Sequence, residues 1–252
     1  MDASAGLQRF FLDTTWAGVG SVLDLTPLHH QLAHVLRAQP GMRIVLLDGR
    51  GRACLAEVAQ IDRQHATGRI VALLPAPPEP AVQVTLYQCA LKADKLEWVW
   101  QKATELGVTR LAPVVSRRTV VRPVEALAKK EERWSAIVRE AAEQSRRGAL
   151  PTLLPPMRLD EAIRAAQGVR LLPWEAAGDR PGIGAALAQT QPAAVSLLIG
   201  PEGGLDADEV ETAAAAGWQV VTLGPRILRA ETAALAALTL VMQAAGEFGP
   251  SA

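Results

Sequence analysis

The sequence predicts an α/β chain in two parts: a small β-rich unit, then an α/β domain on a mainly parallel sheet. Three observations carry this. Short strand-like runs separated by turn formers fill residues 9–74, with one helical stretch among them. The segment Pro75-Ala-Pro-Pro-Glu-Pro80 is dense in proline, hence stiff and extended. Beyond it, apolar strand runs alternate with longer helical patterns, the signature of βαβ units.

In order, strands are expected at Arg9–Asp13, Ser21–Leu25, Arg43–Leu47, Ala53–Val58 and Gly68–Leu74. A helix is expected over Pro27–Ala38, where Leu32, Val35 and Leu36 share a face. Asp48-Gly-Arg-Gly51 signals a hairpin turn. Many short strands with one helix suggest a small β-barrel. The proline break divides the chain into expected domains at 1–74 and 80–252. In the second, Val82–Cys89 reads as a strand and Lys95–Leu106 as a helix closed by Gly107. Leu111–Val115 is a strand, and Lys129–Arg147 a long helix stopped by Gly148 and Pro151. Strands follow at Val169–Leu172, Val195–Ile199 and Gln219–Leu223, and a last helix runs over Glu231–Ala245.

Composition removes several classes. Met1 to Arg9 is not a signal peptide, and no apolar run reaches transmembrane length, so no membrane partner is expected. Cys54 and Cys89 lack redox or metal spacing and read as buried thiols in a reducing, cytoplasmic compartment. His29, His30, His34 and His65 have no acidic or cysteine partners at ligand spacing, so no metal is expected. Phosphate-binding, dinucleotide-binding, zinc-protease and serine-hydrolase motifs are missing. Trp98 and Trp100 read first as core and interface residues.

Net charge is zero, yet its distribution is uneven. Residues 92–150 hold 13 Lys and Arg against 8 Asp and Glu, whereas residues 151–252 hold 6 against 11. The basic stretch suits phosphates, and equally suits solvated helix faces paired locally with Glu131, Glu132, Glu140 and Glu143.

Two segments carry chemistry. The apolar run from Val195 ends in Gly200-Pro-Glu-Gly-Gly204, and a helix then starts at a capping box of Asp206 and Glu209. Loops at the carboxyl ends of parallel strands are where α/β proteins hold ligands, and glycines let backbone approach a flat one closely. A second run, Val220 to Leu223, ends in Gly224-Pro-Arg-Ile-Leu-Arg-Ala-Glu-Thr232. Its Ile227-Leu228 pair suits a purine ring, and Arg226 and Arg229 suit a carboxylate, phosphate or developing oxyanion. Plainer roles also fit: Glu231 or Thr232 caps the last helix, and Arg226 is a surface side chain.

Together, Ile199-Gly-Pro-Glu-Gly-Gly204 and Leu223-Gly-Pro-Arg-Ile-Leu-Arg-Ala-Glu-Thr-Ala233 resemble the signature of the RsmE-type 16S ribosomal RNA (uracil-N3)-methyltransferases of the SPOUT superfamily. Arg9-Phe-Phe11, Lys102-Ala-Thr-Glu-Leu-Gly-Val108 and Glu140-Ala-Ala-Glu-Gln-Ser-Arg146 agree, so the likeness covers nearly the whole chain. Leu205-Asp206 departs from the Phe-Ser of many relatives, and Arg147 precedes Gly148 in a variable stretch. The resemblance implies a PUA-like β-barrel, an α/β methyltransferase domain with a deep trefoil knot, and a homodimer. It implies that three loops hold S-adenosylmethionine (SAM). Their candidate residues are Pro173 and Glu175; Ile199, Gly200, Pro201, Glu202 and Gly203; and Leu223, Gly224, Ile227, Leu228, Ala230 and Thr232.

For uridine methylation the chain must make N3 nucleophilic. A guanidinium beside the ring oxygens favours the deprotonated ring, a role expected first for Arg229 and second for Arg226. Glu231 or Glu202 is then the candidate proton acceptor. RNA of the small ribosomal subunit is expected to meet Arg9, Arg37, Arg117, Arg118, Arg122 and Arg146. Alternative readings are a SPOUT enzyme with another RNA target and a non-catalytic RNA-binding or ribosome-assembly factor.

Overall fold

The computed structural model describes residues 6–249 except Ala76 and Arg122, so the expectation for Arg122 lies outside the described residues. The chain divides into two compact units, residues 1–79 with 142–150, and residues 80–141 with 151–252.

The first unit holds a mixed five-stranded sheet. Its strands are β1 (Arg9–Phe11), β2 (Val22–Asp24), β3 (Arg43–Leu47), β4 (Ala53–Ile61) and β5 (Ala66–Leu74), in the order β1-β3-β4-β5-β2. Only the β1–β3 pair is parallel. Between β3 and β4, Asp48 Oδ1 accepts the Arg50 and Arg52 N–H groups at 2.8 and 2.9 Å, closing the turn its Asp-Gly announces. Phe10, Trp16, Leu25, Leu32, Ile44 and Leu46 share the core. The helix expected over 27–38 is broken into a 3₁₀ turn (Thr26–Leu28) and a π-type turn (Gln31–Val35). No side chain caps either turn, and Arg37, at φ 51°, turns the chain away before a helix can propagate.

Residues 142–150 belong to this unit. Phe11 N–H donates to Glu143 Oε1 at 2.9 Å. Glu79 receives the buried Arg147 guanidinium at 2.6 Å and the N–H groups of Gly148 and Ala149 at 2.8 and 3.0 Å.

The second unit is an all-parallel sheet covered on both faces. Its elements are β6 (Gln83–Cys89), α1 (Lys95–Glu105), β7 (Arg110–Val115), α2 (Val124–Ala128), α3 (Glu131–Gln144, whose end joins the first unit), β8 (Thr152–Leu153), β9 (Met157–Arg158) and α4 (Leu159–Ala165). There follow β10 (Val169–Pro173), α5 (Ile183–Leu187), β11 (Ala194–Ile199), α6 (Ala207–Ala215), β12 (Gln219–Val221) and α7 (Ala230–Ala244). The strand order is β12-β10-β11-β6-β7-β8, with β9 also on β7. Alternation along the strands sorts the core: Leu86, Leu111, Leu171 and Leu197 face α1, α5 and α7, while Tyr87, Ala112, Leu172 and Leu198 face α4 and α6. Gly168, at φ +68°, admits β10 beside β11, since a Cβ there would lie 2.1 Å from the Ala194 carbonyl oxygen.

The long helix expected over 129–147 is α3, and the short helix α2 precedes it. The end of α3 is set by Arg146 at φ 61°, with the Arg147 N–H reaching back to the Ala142 carbonyl at 2.9 Å, not by Gly148. Among the described residues, no helix is long and apolar enough to cross a membrane.

Candidate active site

Three neighbouring parallel strands, β12, β10 and β11, end on the same side of the sheet, and the loops that leave them converge. They enclose a cleft of about 470 Å³ lined by Pro173–Glu175, Ile199–Gly204, Leu223–Gly224, Arg226–Glu231, Lys95 and Ala233. That size lies in the range of small-molecule sites.

Each loop is held by specific contacts. Trp174 N–H donates to the Val221 carbonyl at 3.1 Å, joining the first loop to the third strand. The second turn is closed by Gly204 N–H on the Pro201 carbonyl at 2.9 Å, and Gln88 Nε2 donates to the Gly200 carbonyl at 3.3 Å. Gly204 has φ +70°, and a Cβ there would stand 2.4 Å from Glu175 Oε1. Glycine is therefore required both by the backbone and by the neighbouring carboxylate. Glu202 Oε1 accepts the Lys92 N–H at 2.9 Å, so this acid tethers backbone. In the third loop Gly224 N–H donates to Thr222 Oγ1 at 3.1 Å, and Ile227 is 85% exposed, an aliphatic side chain left without a protein partner in the cleft wall.

Charge in the cleft is mixed. Arg226 and Arg229 are exposed, Arg229 standing at the N-cap of α7. Glu231 is largely buried, with Oε1 3.0 Å from Lys95 Nζ and Oε2 without a well-formed hydrogen bond among the described residues. Burial pushes the Glu231 carboxyl up, but its own backbone N–H, the Lys95 ammonium and Arg229 together hold it below the usual glutamate range.

The three residues expected to be catalytic, Arg226, Arg229 and Glu231, all line this cleft. So do Pro173, Glu175, Ile199, Gly200, Pro201, Glu202, Gly203, Leu223, Gly224, Ile227, Leu228 and Ala230. Thr232 does not; it is an exposed residue in the first turn of α7. Lys95 was missed by sequence reasoning. Its signal was its position in the segment after β6, the next parallel strand along from β11.

The expected RNA contacts are dispersed within their units. Arg9 lies in β1, and Arg37 and Arg146 are exposed at left-handed backbone positions. The Arg117 and Arg118 guanidinium groups pair with Asp208 and Asp206 at the start of α6, and Arg118 Nη1 also donates to the Gly203 carbonyl at 2.9 Å. Glu209 accepts the Asp206 and Arg117 N–H groups, both at 2.9 Å. The two arginines thus brace the turn that forms the cleft floor.

A parallel α/β sheet with glycine turns converging on one cleft agrees with the matching family models. Residues 77–242 match an RNA methyltransferase domain and residues 29–71 an RNA methyltransferase PUA domain. The class is thus that of the RNA methyltransferases that carry a PUA domain beside the methyltransferase domain. Within it, the Bacillus subtilis ribosomal RNA small subunit methyltransferase E is 32% identical, over 93% of this chain and 96% of that protein. The Mycobacterium tuberculosis protein of the same name is 35% identical over 92% and 90%. The crystal structure of the Neisseria gonorrhoeae enzyme bound to S-adenosyl methionine is 34% identical, with a TM-score of 0.85 over 94% of this chain and 97% of that one. The chain belongs to the ribosomal RNA small subunit methyltransferase E family.

Proposed function

We propose that this chain transfers the methyl group of SAM to N3 of a uridine in 16S RNA of the small ribosomal subunit. The observation that carries the reading is the convergence of three strand-end loops on one cleft, two of them glycine turns with exposed backbone. The residues present fit SAM. Gly203 and Gly204 form a cradle that side chains would fill, Ile227 and Leu228 offer an apolar wall, and Glu231 Oε2 is a buried acceptor without a well-formed hydrogen bond among the described residues. Pro173 to Glu175, Gly200 to Gly204 and Leu223 to Ala230 would hold it.

When bound, SAM supplies a methyl group already activated on a sulfonium. The protein's tasks are then to orient uracil and to favour loss of its N3 proton. Arg229, and secondarily Arg226, stabilise the negative charge that spreads onto the ring oxygens. A carboxylate of the cleft, Glu231 or Glu202, receives the proton. Glu202 already accepts a backbone N–H through Oε1, which leaves Glu231 the better placed.

RNA is held through Arg9, Arg37 and Arg146 on the first unit, with Arg117 and Arg118 contributing where their ion pairs open. A homodimer belongs to the same reading: Trp98 on α1 and Leu240 on α7 stay 44% and 42% exposed on two helices that pack together. The first sheet is read as a closed barrel. The C-terminal segment is read as threaded through a trefoil knot, a path supported by α7 crossing from β12 at the sheet's end to β6 and β11. A ribosomal RNA substrate implies a cytoplasmic location.

The test is nucleoside mass spectrometry of small-subunit RNA from a strain lacking the protein. N3-methyluridine is expected to vanish and to return with the wild-type chain, but not with Arg229→Ala. Its persistence in the deletion strain would refute the reading.

A further inference from the structure

We propose that Lys95 is a positioning residue of the methyl-transfer site: from α1 it grips Glu231 Oε1 and leaves Oε2 as the acceptor of the uracil N3 proton. This rests on the reading above. It begins from an imbalance in the cleft wall. Oε1 has Lys95 Nζ at 3.0 Å, while Oε2 is shielded from water and makes no well-formed hydrogen bond among the described residues. A buried carboxylate oxygen without a donor is disfavoured unless one arrives with a ligand. Both residues line the cleft, so a small turn of the Glu231 carboxylate about its last torsion brings Oε2 to a bound ring that can supply it.

The elements packed on Glu231 allow one ionic anchor. Lys95 comes from α1 and Arg229 from the turn before α7, while Arg226, Glu175 and Glu202 stand elsewhere in the same cleft. α5 and β11, also packed on α7, carry no titratable side chain, and Tyr87 and Cys89 of β6 face the opposite side of the sheet. Burial pushes the Glu231 carboxyl up; Lys95, beside the Glu231 backbone N–H and Arg229, opposes that push and fixes which oxygen is free. In the step itself the N3–H bond breaks towards the carboxylate, which gains the proton. The pair left on N3 forms the new N–C bond as the methyl–sulfur bond breaks with its pair on sulfur. Glu231 then returns the proton to solvent.

The test compares wild type with Lys95→Met, Lys95→Arg and Glu231→Gln. Carbon-13 NMR of glutamate carboxyls in the ligand-free protein, with Glu231 assigned by Glu231→Gln, reads the anchor directly. Glu231 is expected to titrate below an ordinary glutamate in wild type, to move up in Lys95→Met, and to be restored in Lys95→Arg. The acid limb of kcat should shift to higher pH in Lys95→Met, with little change in KM for SAM. Glu231→Gln should lower kcat by roughly 10²–10⁴-fold. An unmoved Glu231 titration in Lys95→Met, an unmoved acid limb despite a moved titration, or near-normal turnover of Glu231→Gln each overturns the proposal. Failure of the wild-type chain to bind SAM in calorimetry strikes the functional reading itself, while the titration still decides the anchor.

Discussion

Replacing Gly204 with alanine tests the cradle most directly. Two separate costs follow from the structure. Backbone at φ +70° is costly for an L-residue, by about 1–2 kcal/mol. The new Cβ would meet Glu175 Oε1 at 2.4 Å, a contact relieved by swinging the flexible carboxylate aside. Forcing that side chain from its rotamer adds about 0.5–1.5 kcal/mol. Because the turn lies at the surface, the free protein can relax it, and the loss should appear in ligand affinity more than in stability. A combined cost of about 1.5–3.5 kcal/mol weakens SAM binding by roughly 10- to 300-fold, at about 1.4 kcal/mol per decade. Isothermal calorimetry reads the Kd and differential scanning calorimetry the Tm. A double-mutant cycle with Glu175→Ala should show losses that are less than additive, since the collision is then gone. A Gly204→Ala protein with a Kd within twofold of wild type and an unchanged Tm would refute the reasoning.

Further expectations concern the rest of the molecule. Glu79→Ala removes the carboxylate paired with the buried Arg147 guanidinium and should cost about 3–5 kcal/mol in urea unfolding; a loss below about 1 kcal/mol would show the pair to be dispensable. Burial pushes the Cys54 thiol up to about 11 and the Cys89 thiol up to about 12. Both should resist Ellman's reagent until the chain is denatured. The unfolded chain releases these protons near an ordinary thiol value of 9.0 and the folded chain does not, so stability should be steady below that pH and fall above it. Arg146→Ala should weaken RNA binding equally across sequences and reduce the slope of log K against log salt by about 1, measured by filter binding. An unchanged slope removes Arg146 from the phosphate contacts.

What could be read from the sequence was local. The parallel strands β7, β10 and β11 are rich in apolar residues and β6 alternates in part, so all four stand close to where patterning put them. The α6 start was written in Asp206 and Glu209, whose bond forms at 2.9 Å. The two glycine turns announced the cleft because a strand that ends in Gly-Pro has few other uses. Failures arose where a conformation depends on distant partners. Nothing in the residues 27–38 reveals the positive φ of Arg37, and short elements such as α4 and α5 carry too few turns for a periodicity. The Lys95–Glu231 pair spans most of the second unit in sequence, and only the fold brings it together. The ion pairs of Arg117 and Arg118 were equally hidden, because their carboxylate partners lie some 90 residues away.

The return of residues 142–150 to the first unit has a consequence for biogenesis. That unit cannot be finished when its own N-terminal stretch leaves the ribosome, because the Arg147 partner of Glu79 is translated roughly 70 residues later. At about 5–20 residues per second, synthesis leaves this gap open for roughly 4–14 s. During it the N-terminal sheet lacks the strip that covers Phe11 and Leu47. Emerging chains should then be most exposed to chaperones and proteases between the two events, and an early stop at residue 79 would yield a fragment without its last seam.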